Sequence, residues 1–502
     1  MSILAYLTDF AKKKGDQVGW VIDEKPYTYA QVDALTNKFA NALLAAGLKK
    51  GDRVSLFLPN SLEYLISCYG VAKAGGTVNA LNTMFKKAEI KYIVNNAGSE
   101  IMIATPELAG NVLEIKDELP LLKEVILTGD PFNQLLEKGS ESPPAVDIQP
   151  DDNMLLAYSS GTTGNPKGVV HTHFTAAAQA IGTANRLGLT YTDKIITSLP
   201  LFHLYGGNII LGGAIVAGAC LVVHPRFDAE KILSSVAQYR VNIIAGVPTM
   251  FAYFNAVPEN VIQKYDLACL DFGVSAGSIL FPKVFYDFKG LYGSPILDCY
   301  GITEAAGNLS GNYKYGKEVP GSAGVPYPFT DIKIVDDQDN PVPTGEIGEL
   351  IARAPQIMKE YWNLPKETAE ALKGGYLHTG DLAKVDENGY IFIVDRKKDM
   401  IITGGFNIYP AEVENYMNAH PKVAQSAMFG VQDEAKGEVG WAAIVLKEGM
   451  SATEEEIIGY CRSQMATYKC PRKVVFLESL PVNVMNKILR RKLRDNFSKS
   501  GQ

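Results

Sequence analysis

Cysteine is scarce and scattered. The chain has six in 502 residues (Cys68, Cys220, Cys269, Cys299, Cys461 and Cys470), with no C-x-x-C and no metal-ligand spacing. That excludes a disulfide framework and fits a reduced, cytoplasmic setting. Basic charge shows no surplus either: 48 Lys and Arg stand against 55 Asp and Glu, a net charge of −7. The electrostatic footprint of a nucleic-acid binder is therefore missing. No apolar run is long enough to cross a bilayer. The longest, Ile209 to Val223, has 15 residues, where about 20 are needed. Its glycines and alanines suit a tightly packed buried helix leading into a strand. The N-terminal stretch MSILAYLTDFAKKKG is not expected to be a secretory signal, because Thr8 and Asp9 interrupt its apolar residues and the lysines follow them.

What is present is globular: 47% hydrophobic and 21% charged residues in a chain too long for one ordinary core. Thr28 caps a predicted helix to Ala46, Arg53 to Leu58 reads as a strand, Leu62 to Ala74 as a helix, and Thr77 to Leu81 as a strand. The same alternation returns at Asp228 to Tyr239 and Val241 to Ala245, with Pro248 opening a further helix. Repeated β-α-β spacing implies parallel sheets covered by helices. Asn133 to Pro150, rich in Pro, Ser and Gly, reads as a surface connection. Short strands at Asp331 to Val335 and Glu349 to Ala352 mark a β-rich subdomain. A charged knot, Asp395-Arg396-Lys397-Lys398-Asp399, then precedes about 100 residues with their own helix-strand pattern. The expected division is 1–397 and 398–502, with a hinge at Lys398.

One loop carries the first chemical signal. Tyr158 to Val170 reads YSSGTTGNPKGVV, with Ser, Thr and Gly around a single lysine. Glycines let the backbone approach an anion and aim successive amides at it. A P-loop would need G-x-x-x-x-G-K-[ST] opening a helix. Here Pro166 falls five residues after Gly161, Gly168 follows Lys167, and Val169-Val170 favour a strand. This is a phosphate loop of another kind.

Five further segments share its character: Leu199-Pro200-Leu201-Phe202-His203, Tyr300-Gly301-Ile302-Thr303-Glu304, Tyr376-Leu377-His378-Thr379-Gly380-Asp381, the run DRKKDMIITGGFNIYP from Asp395 to Pro410, and Asn486-Lys487-Ile488-Leu489-Arg490-Arg491. Singly, each has an ordinary structural use. The second is a strand end with a helix cap, the acid after Thr-Gly is a turn residue, His203 is a satisfied core group, Gly404-Gly405 is a turn, and the basic run from Lys487 to Lys499 is a solvated helix face. Their joint order and spacing change that. Together the six motifs resemble the adenylate-forming superfamily of acyl-CoA synthetases, firefly-type luciferases and peptide-synthetase adenylation domains, and most of all its fatty-acid–CoA ligases. The resemblance covers essentially the whole chain.

It implies an α/β fold: a large N-terminal domain of helix-covered sheets with a β-rich subdomain, and a small mobile C-terminal α+β domain. It implies ATP, Mg²⁺ and CoA as cofactors. By resemblance, Ser159, Ser160, Gly161, Thr162, Thr163, Gly164 and Lys167 hold the β- and γ-phosphates. Tyr300, beside Gly301, stacks on adenine, whose pocket includes Ala276 and Gly277. Thr303 binds the α-phosphate, and Glu304 with Thr163 serves Mg²⁺, a hard cation that prefers oxygen. Asp381 accepts the ribose hydroxyls and Arg396 adds a second ribose contact. Lys487 is the principal catalytic cation of adenylation, with Asn486 where the family has glycine. Lys398 is the pivot, and Thr403, Gly404, Gly405 and Phe406 line a pantetheine tunnel after rotation. His203 orients the carboxylate or gates the thiol.

The acyl pocket implied by resemblance comprises Phe202, His203, Tyr205, Gly206, Gly207, Asn208, Ser275, Ile302, Gly307 and Asn308. Its glycines are expected to leave room, while Tyr205 and Asn208 close the pocket or bond a polar acid. No Asp or Glu occurs from Lys194 to Phe227. A substrate ammonium would lack a partner there, so an uncharged acyl or aryl chain is favoured over an amino acid loaded onto a carrier protein. The alternatives are an aryl-acid–CoA ligase, a carrier-loading adenylation enzyme, and a nucleotide sensor that keeps the fold without turnover. The expected partners are a small carboxylic acid, ATP and CoA, with neither nucleic acid nor a transmembrane segment. Peripheral membrane contact through the basic C-terminal helix and a homodimer are both compatible with the composition.

Overall fold

A computed structural model of the chain describes residues 2–159, 165–433, 436–483 and 488–497. Ser160, Gly161, Thr162, Thr163, Gly164 and Lys487 lie outside the described residues.

Two sheets with parallel centres form the bulk of the molecule. In the first, Arg53–Phe57 lies between Thr77–Ala80 and Ile101–Ala104, and Glu124–Leu127 extends it, all parallel. Helices Tyr29–Ala45 and Leu62–Lys73 begin where their caps dictate. Thr28 accepts the Gln31 N–H and receives the Gln31 side chain in return, a reciprocal cap that satisfies two amides left without helical partners. The antiparallel hairpin Asn153–Ser159 and Lys167–Thr172 joins this sheet beside Thr77–Ala80. The segment after the glycine-rich loop is thus a strand, as its β-branched residues predict.

The second sheet aligns Cys220–Val223, Lys194–Thr197, Ile243–Gly246, Phe272–Ser275 and Ile296–Ile302 in parallel. Gly307–Gly311 turns back antiparallel on the last of these. One hydrophobic core serves both sheets, running from Phe39, Leu56 and Tyr69 to Leu199, Ile209 and Val247. The β-rich subdomain is the antiparallel sheet of Asp331–Val335, Gly348–Arg353, Leu377–Val385 and Ile391–Arg396. Beyond it, Ile401–Thr403, Phe406–Ile408, Val423–Asp433, Gly437–Leu446 and Lys473–Phe476 make a further sheet. It packs helices Pro410–Ala419 and Glu454–Gln464 around a core of its own, including Ile401, Val413, Met417, Met428 and Ile457.

Two readings need correction. Asn133 to Pro150 is not wholly a connection, because helix Asp130–Lys138 reaches into it. Its Phe132 and Leu136 are buried, a pair at i and i+4 too sparse to stand out among polar neighbours. The apolar run from Ile209 also enters its helix differently: a π-helical stretch, Tyr205–Ile210, precedes the α-helix Leu211–Ala217.

Candidate active site

The last parallel strand of the second sheet, Ile296–Ile302, carries Tyr300 against the β-rich subdomain. Its hydroxyl donates to Asp381 Oδ2 at 2.6 Å. Arg396 Nε lies 3.3 Å from the other oxygen of Asp381. Asp381 and Arg396 are directly opposed in the antiparallel ladder, so strand register brings the ion pair together. Asp381 is only 5% exposed. Burial first, and then the charge of Asp381, push the Tyr300 phenol well up, so it stays a donor. A carboxylate has about four lone-pair sites, which leaves Asp381 acceptor capacity for a vicinal diol. Tyr300, Asp381 and Arg396 thus meet in space, and Tyr300 has a hydrogen bond that the stacking role did not anticipate.

Immediately after this strand, Thr303–Ala305 forms a 3₁₀ turn. Ala306 ends it at φ 51°, a left-handed conformation uncommon for any residue but glycine. Glu304 Oε1 accepts from the Tyr361 hydroxyl at 2.9 Å and lies 3.5 Å from Ser159 Oγ. Tyr361 in turn has Lys167 Nζ 4.8 Å from its ring centre. One aromatic side chain therefore joins the base of the glycine-rich loop to the carboxylate of the YGITE motif. The Thr303 carbonyl accepts from His171 Nε2 at 2.7 Å. Because a carbonyl only accepts, that nitrogen bears the proton. Burial pushes the His171 imidazole down to about 4, so it is neutral near pH 7. Motif reading singled out neither His171 nor Tyr361. His171 falls in a strand otherwise rich in valine, and Tyr361 in a two-residue strand paired to Val169 and Val170.

The His203 segment is pinned from the first sheet. Asn60 donates to the Leu199 carbonyl at 3.0 Å and accepts from Leu201 N at 2.8 Å, while Tyr64 donates to the Leu201 carbonyl at 2.7 Å. His203 Nδ1 accepts the Tyr205 N–H at 3.2 Å. The glycines that follow are required by the packing of the backbone. A Cβ on Gly206 would lie 2.4 Å from the Pro200 carbonyl oxygen, and one on Gly207 2.2 Å from that of Leu201. They let the π-helix pack on its own preceding turn. Tyr205 donates to the carbonyl of Gly246 at 2.9 Å, with that of Val274 at 3.0 Å, and Asn208 donates to Ala306 at 2.9 Å. Asn308 donates to the Tyr327 hydroxyl at 3.1 Å. These polar groups hold the backbone in place.

A small, mostly apolar cavity, open at its mouth, lies against His203 on the side of the first sheet. Phe202, His203, Gly207 and Asn208 line it, with Tyr64, Cys68, Met154 and Leu156 opposite. Tyr205, Gly206, Ser275, Ile302, Gly307 and Asn308 do not line this cavity. Ser275 and Ala276 are buried at the end of strand Phe272–Ser275, where Gly277 turns the chain at φ 90°.

In the C-terminal part, Gly404 and Gly405 form the hairpin turn between Ile401–Thr403 and Phe406–Ile408, at φ 56° and 85°. Both values favour glycine, as two-residue hairpin turns do. Thr403 is buried and Phe406 is 57% exposed, its ring tilted against that of Tyr468 with centroids 4.9 Å apart. Lys398 is exposed, between Ile391–Arg396 and Ile401–Thr403. Val482 and Ile488, on either side of 483–487, pair antiparallel.

Among the described residues no three His, Cys, Asp or Glu side chains gather as a metal cage. Glu304 is a single carboxylate held in place by Tyr361. That donor set fits Mg²⁺, which keeps several waters and is bound through one or two carboxylates with substrate phosphates.

The AMP-binding enzyme family matches residues 7–362, and the AMP-binding enzyme C-terminal domain matches residues 412–487. The long-chain-fatty-acid–CoA ligase FadD13 of Mycobacterium tuberculosis is 35% identical over 476 residues, 94% of this chain and 93% of its own length. A feruloyl-CoA synthase of Amycolatopsis is 36% identical over 474 residues, 94% of each chain. The solved structure of the anthranilate CoA ligase AuaEII with anthranoyl-AMP superposes with a TM-score of 0.94 at 29% identity, covering 100% of this chain and 98% of that one. The chain belongs to the AMP-binding enzyme family and is an AMP-forming acyl-CoA ligase.

Proposed function

We propose that the protein activates an uncharged carboxylic acid, a fatty acid, in two steps: acid and ATP give acyl-adenylate and pyrophosphate, then CoA gives acyl-CoA and AMP. The observation that carries this reading is the convergence of Tyr300, Asp381 and Arg396 beside the Thr303–Glu304 turn. It offers a diol acceptor and a carboxylate joined through Tyr361 to the loop of Lys167.

In the first step the acid's carboxylate attacks the α-phosphorus and pyrophosphate leaves. Asp381 and Arg396 fix the ribose, Thr303 the α-phosphate, and the loop from Ser159 to Lys167 the leaving phosphates. Glu304 and Thr163 would hold Mg²⁺, which would supply neutralisation of phosphate charge there. Lys487 stabilises the charge that spreads as two anions meet, worth roughly 3 kcal/mol in comparable preorganised sites. In the second step the part of the chain after Lys398 rotates as a small domain, 398–502 against 1–397. This brings the Gly404–Gly405 turn and Phe406 toward the thiol path. The separate core beyond Ile401 supports that division. His203 stands at the apolar cavity, ready to orient the acid or the incoming thiol.

The cavity wall includes no Asp, Glu, Lys or Arg, which favours an uncharged chain over an amino acid. An aryl acid is the second reading, favoured by the likeness to proteins named for ferulate and anthranilate. Among the described residues no helix is long and apolar enough to cross a membrane, and we assign the enzyme to the cytoplasm. Pyrophosphate release and CoA-thioester formation, followed across aliphatic acids of two to eighteen carbons, ferulate, anthranilate and amino acids (~20 compounds in all,), test the assignment. Turnover of aliphatic acids supports it, aryl-only turnover supports the second reading, and ATP binding without turnover of any acid overturns both.

A further inference from the structure

The helix Arg490–Phe497 starts three residues after Lys487 with two adjacent arginines. Local physics disfavours that start. Cations at a helix N-terminus oppose the macrodipole, and a helix this short is marginal without tertiary contacts. The structure supplies a counter-charge from far away in sequence. Arg490 Nη2 donates to both oxygens of Glu414, at 2.9 and 2.8 Å, and Nε reaches the Met428 carbonyl at 3.2 Å. Glu414 is held from the other side by the Met428 N–H at 2.8 Å. The two side chains are 16% and 5% exposed. Arg494, one turn on, donates to Asp399 at 2.8 Å.

A buried ion pair is a weak source of net stability, because desolvation offsets most of the attraction, and its best-attested use is to fix register. Here the guanidinium is the first strongly anchored group after the lysine. Just before it, Ile488 pairs with Val482 and Leu489 N donates to the Pro481 carbonyl at 2.8 Å. Glu414 belongs to helix Pro410–Ala419 and Met428 to the edge strand Val423–Asp433, which pairs along its length with Gly437–Leu446. The fork therefore ties the start of the helix that follows the lysine to a helix and the edge strand of the C-terminal sheet.

We propose that Arg490 and Glu414 are a positioning pair for adenylation, which sets where Lys487 stands without touching substrate. This rests on the role given to Lys487 above.

The test uses the full-length enzyme and the acid of the panel that turns over fastest. Acid-dependent pyrophosphate release and CoA-dependent consumption of the supplied acyl-adenylate are measured separately, for Arg490→Lys, Glu414→Gln, their double variant and Lys487→Ala. A lysine cannot reproduce the two-pronged contact. Each single variant is expected to lower the ratio of the first rate to the second by about tenfold or more, since a displacement of about 1 Å can cost a hundredfold. The double variant should be no worse than the poorer single one, because the two residues act as one unit. A variant that fails to fold is replaced by Glu414→Asp, which keeps the charge and shortens its reach. Equal loss of both half-reactions, or additive losses, would show a merely structural pair and overturn the proposal. If Lys487→Ala alone collapses the ratio, the lysine keeps its role and the pair loses its own. If Lys487→Ala leaves the ratio unchanged, the lysine assignment falls and this proposal with it.

Discussion

Tyr300 and Asp381 stand 81 residues apart in sequence and are joined by a 2.6 Å hydrogen bond from phenol to carboxylate. The contact links the last parallel strand of the second sheet to the β-rich subdomain, and it aims the acid implicated in ribose binding. Tyr300→Phe keeps the aromatic face and removes the donor. A hydrogen bond to a charged group is worth about 1.5–3 kcal/mol. ATP kinetics should show KM raised about tenfold or more with a smaller change in kcat. An unchanged KM would mean that Arg396 orients Asp381 unaided.

His171 holds the Thr303 carbonyl from inside the first sheet. His171→Leu leaves that carbonyl only the Ala306 N–H at 3.1 Å, and thermal unfolding should show a loss of about 0.5–1.5 kcal/mol, the net worth of one hydrogen bond. His171→Gln, which can still donate, should recover part of the stability and of the adenylation rate. The pH dependence has a definite sign. The imidazole sits at about 4 in the fold, below its ordinary value near 6.5. Between these values the unfolded chain binds the extra proton, so stability falls as pH drops from 6.5 toward 4. Glutamine at this position should make that acid loss shallower.

Asp395 has the opposite sign. Burial raises its carboxyl to about 6, against the lowering influence of Arg490 and the Ala411 N–H, while Glu414 adds to the rise. The Ala411 N–H donates to it at 2.8 Å. Here the folded chain binds the extra proton between the ordinary value of about 4 and 6. Asp395 therefore contributes less stability as pH rises through that window. Asp395→Asn removes this contribution, so the variant gains on the wild type as pH rises from about 4 to 6 in paired unfolding curves. Parallel curves would show that Arg490 keeps the carboxylate ionised throughout.

Gly207→Ala places a Cβ 2.2 Å from the Leu201 carbonyl oxygen. Neither atom belongs to a flexible side chain, so the backbone must move. Such overpacking costs about 1–3 kcal/mol. The shift falls on the turn that holds His203, so acyl-CoA formation should drop more than ATP binding. Gly277→Ala, at φ 90° with only Val247 near its Cβ position at 3.7 Å, tests strain without a clash. An alanine at position 207 with wild-type stability would remove the packing account of the π-helix.

Much was legible where neighbours in sequence decide the outcome. Thr28 and Asp228 cap helices because their oxygens reach an amide within the next turn. Val169 and Val170 continue the glycine-rich loop as a strand. The glycines at 206 and 207 mark where local reading stops, because their spacing says only that a side chain is missing. Whether the vacancy serves a ligand or the chain's own carbonyls depends on how the next turn packs. Asn208 lines the cavity as expected while Tyr205 does not, and both spend their donors on backbone carbonyls 41, 69 and 98 residues away.

The order and spacing of six short motifs determined the reaction class, because phosphate, ribose and metal chemistry restrict which residue types can serve. Tertiary structure alone decided which side chains support them. His171 under Thr303, Tyr361 beside Glu304 and Glu414 under Arg490 act across 132, 57 and 76 residues. Such contacts arise only when sheet register and helix packing bring distant strands together, and no local pattern of residues records that.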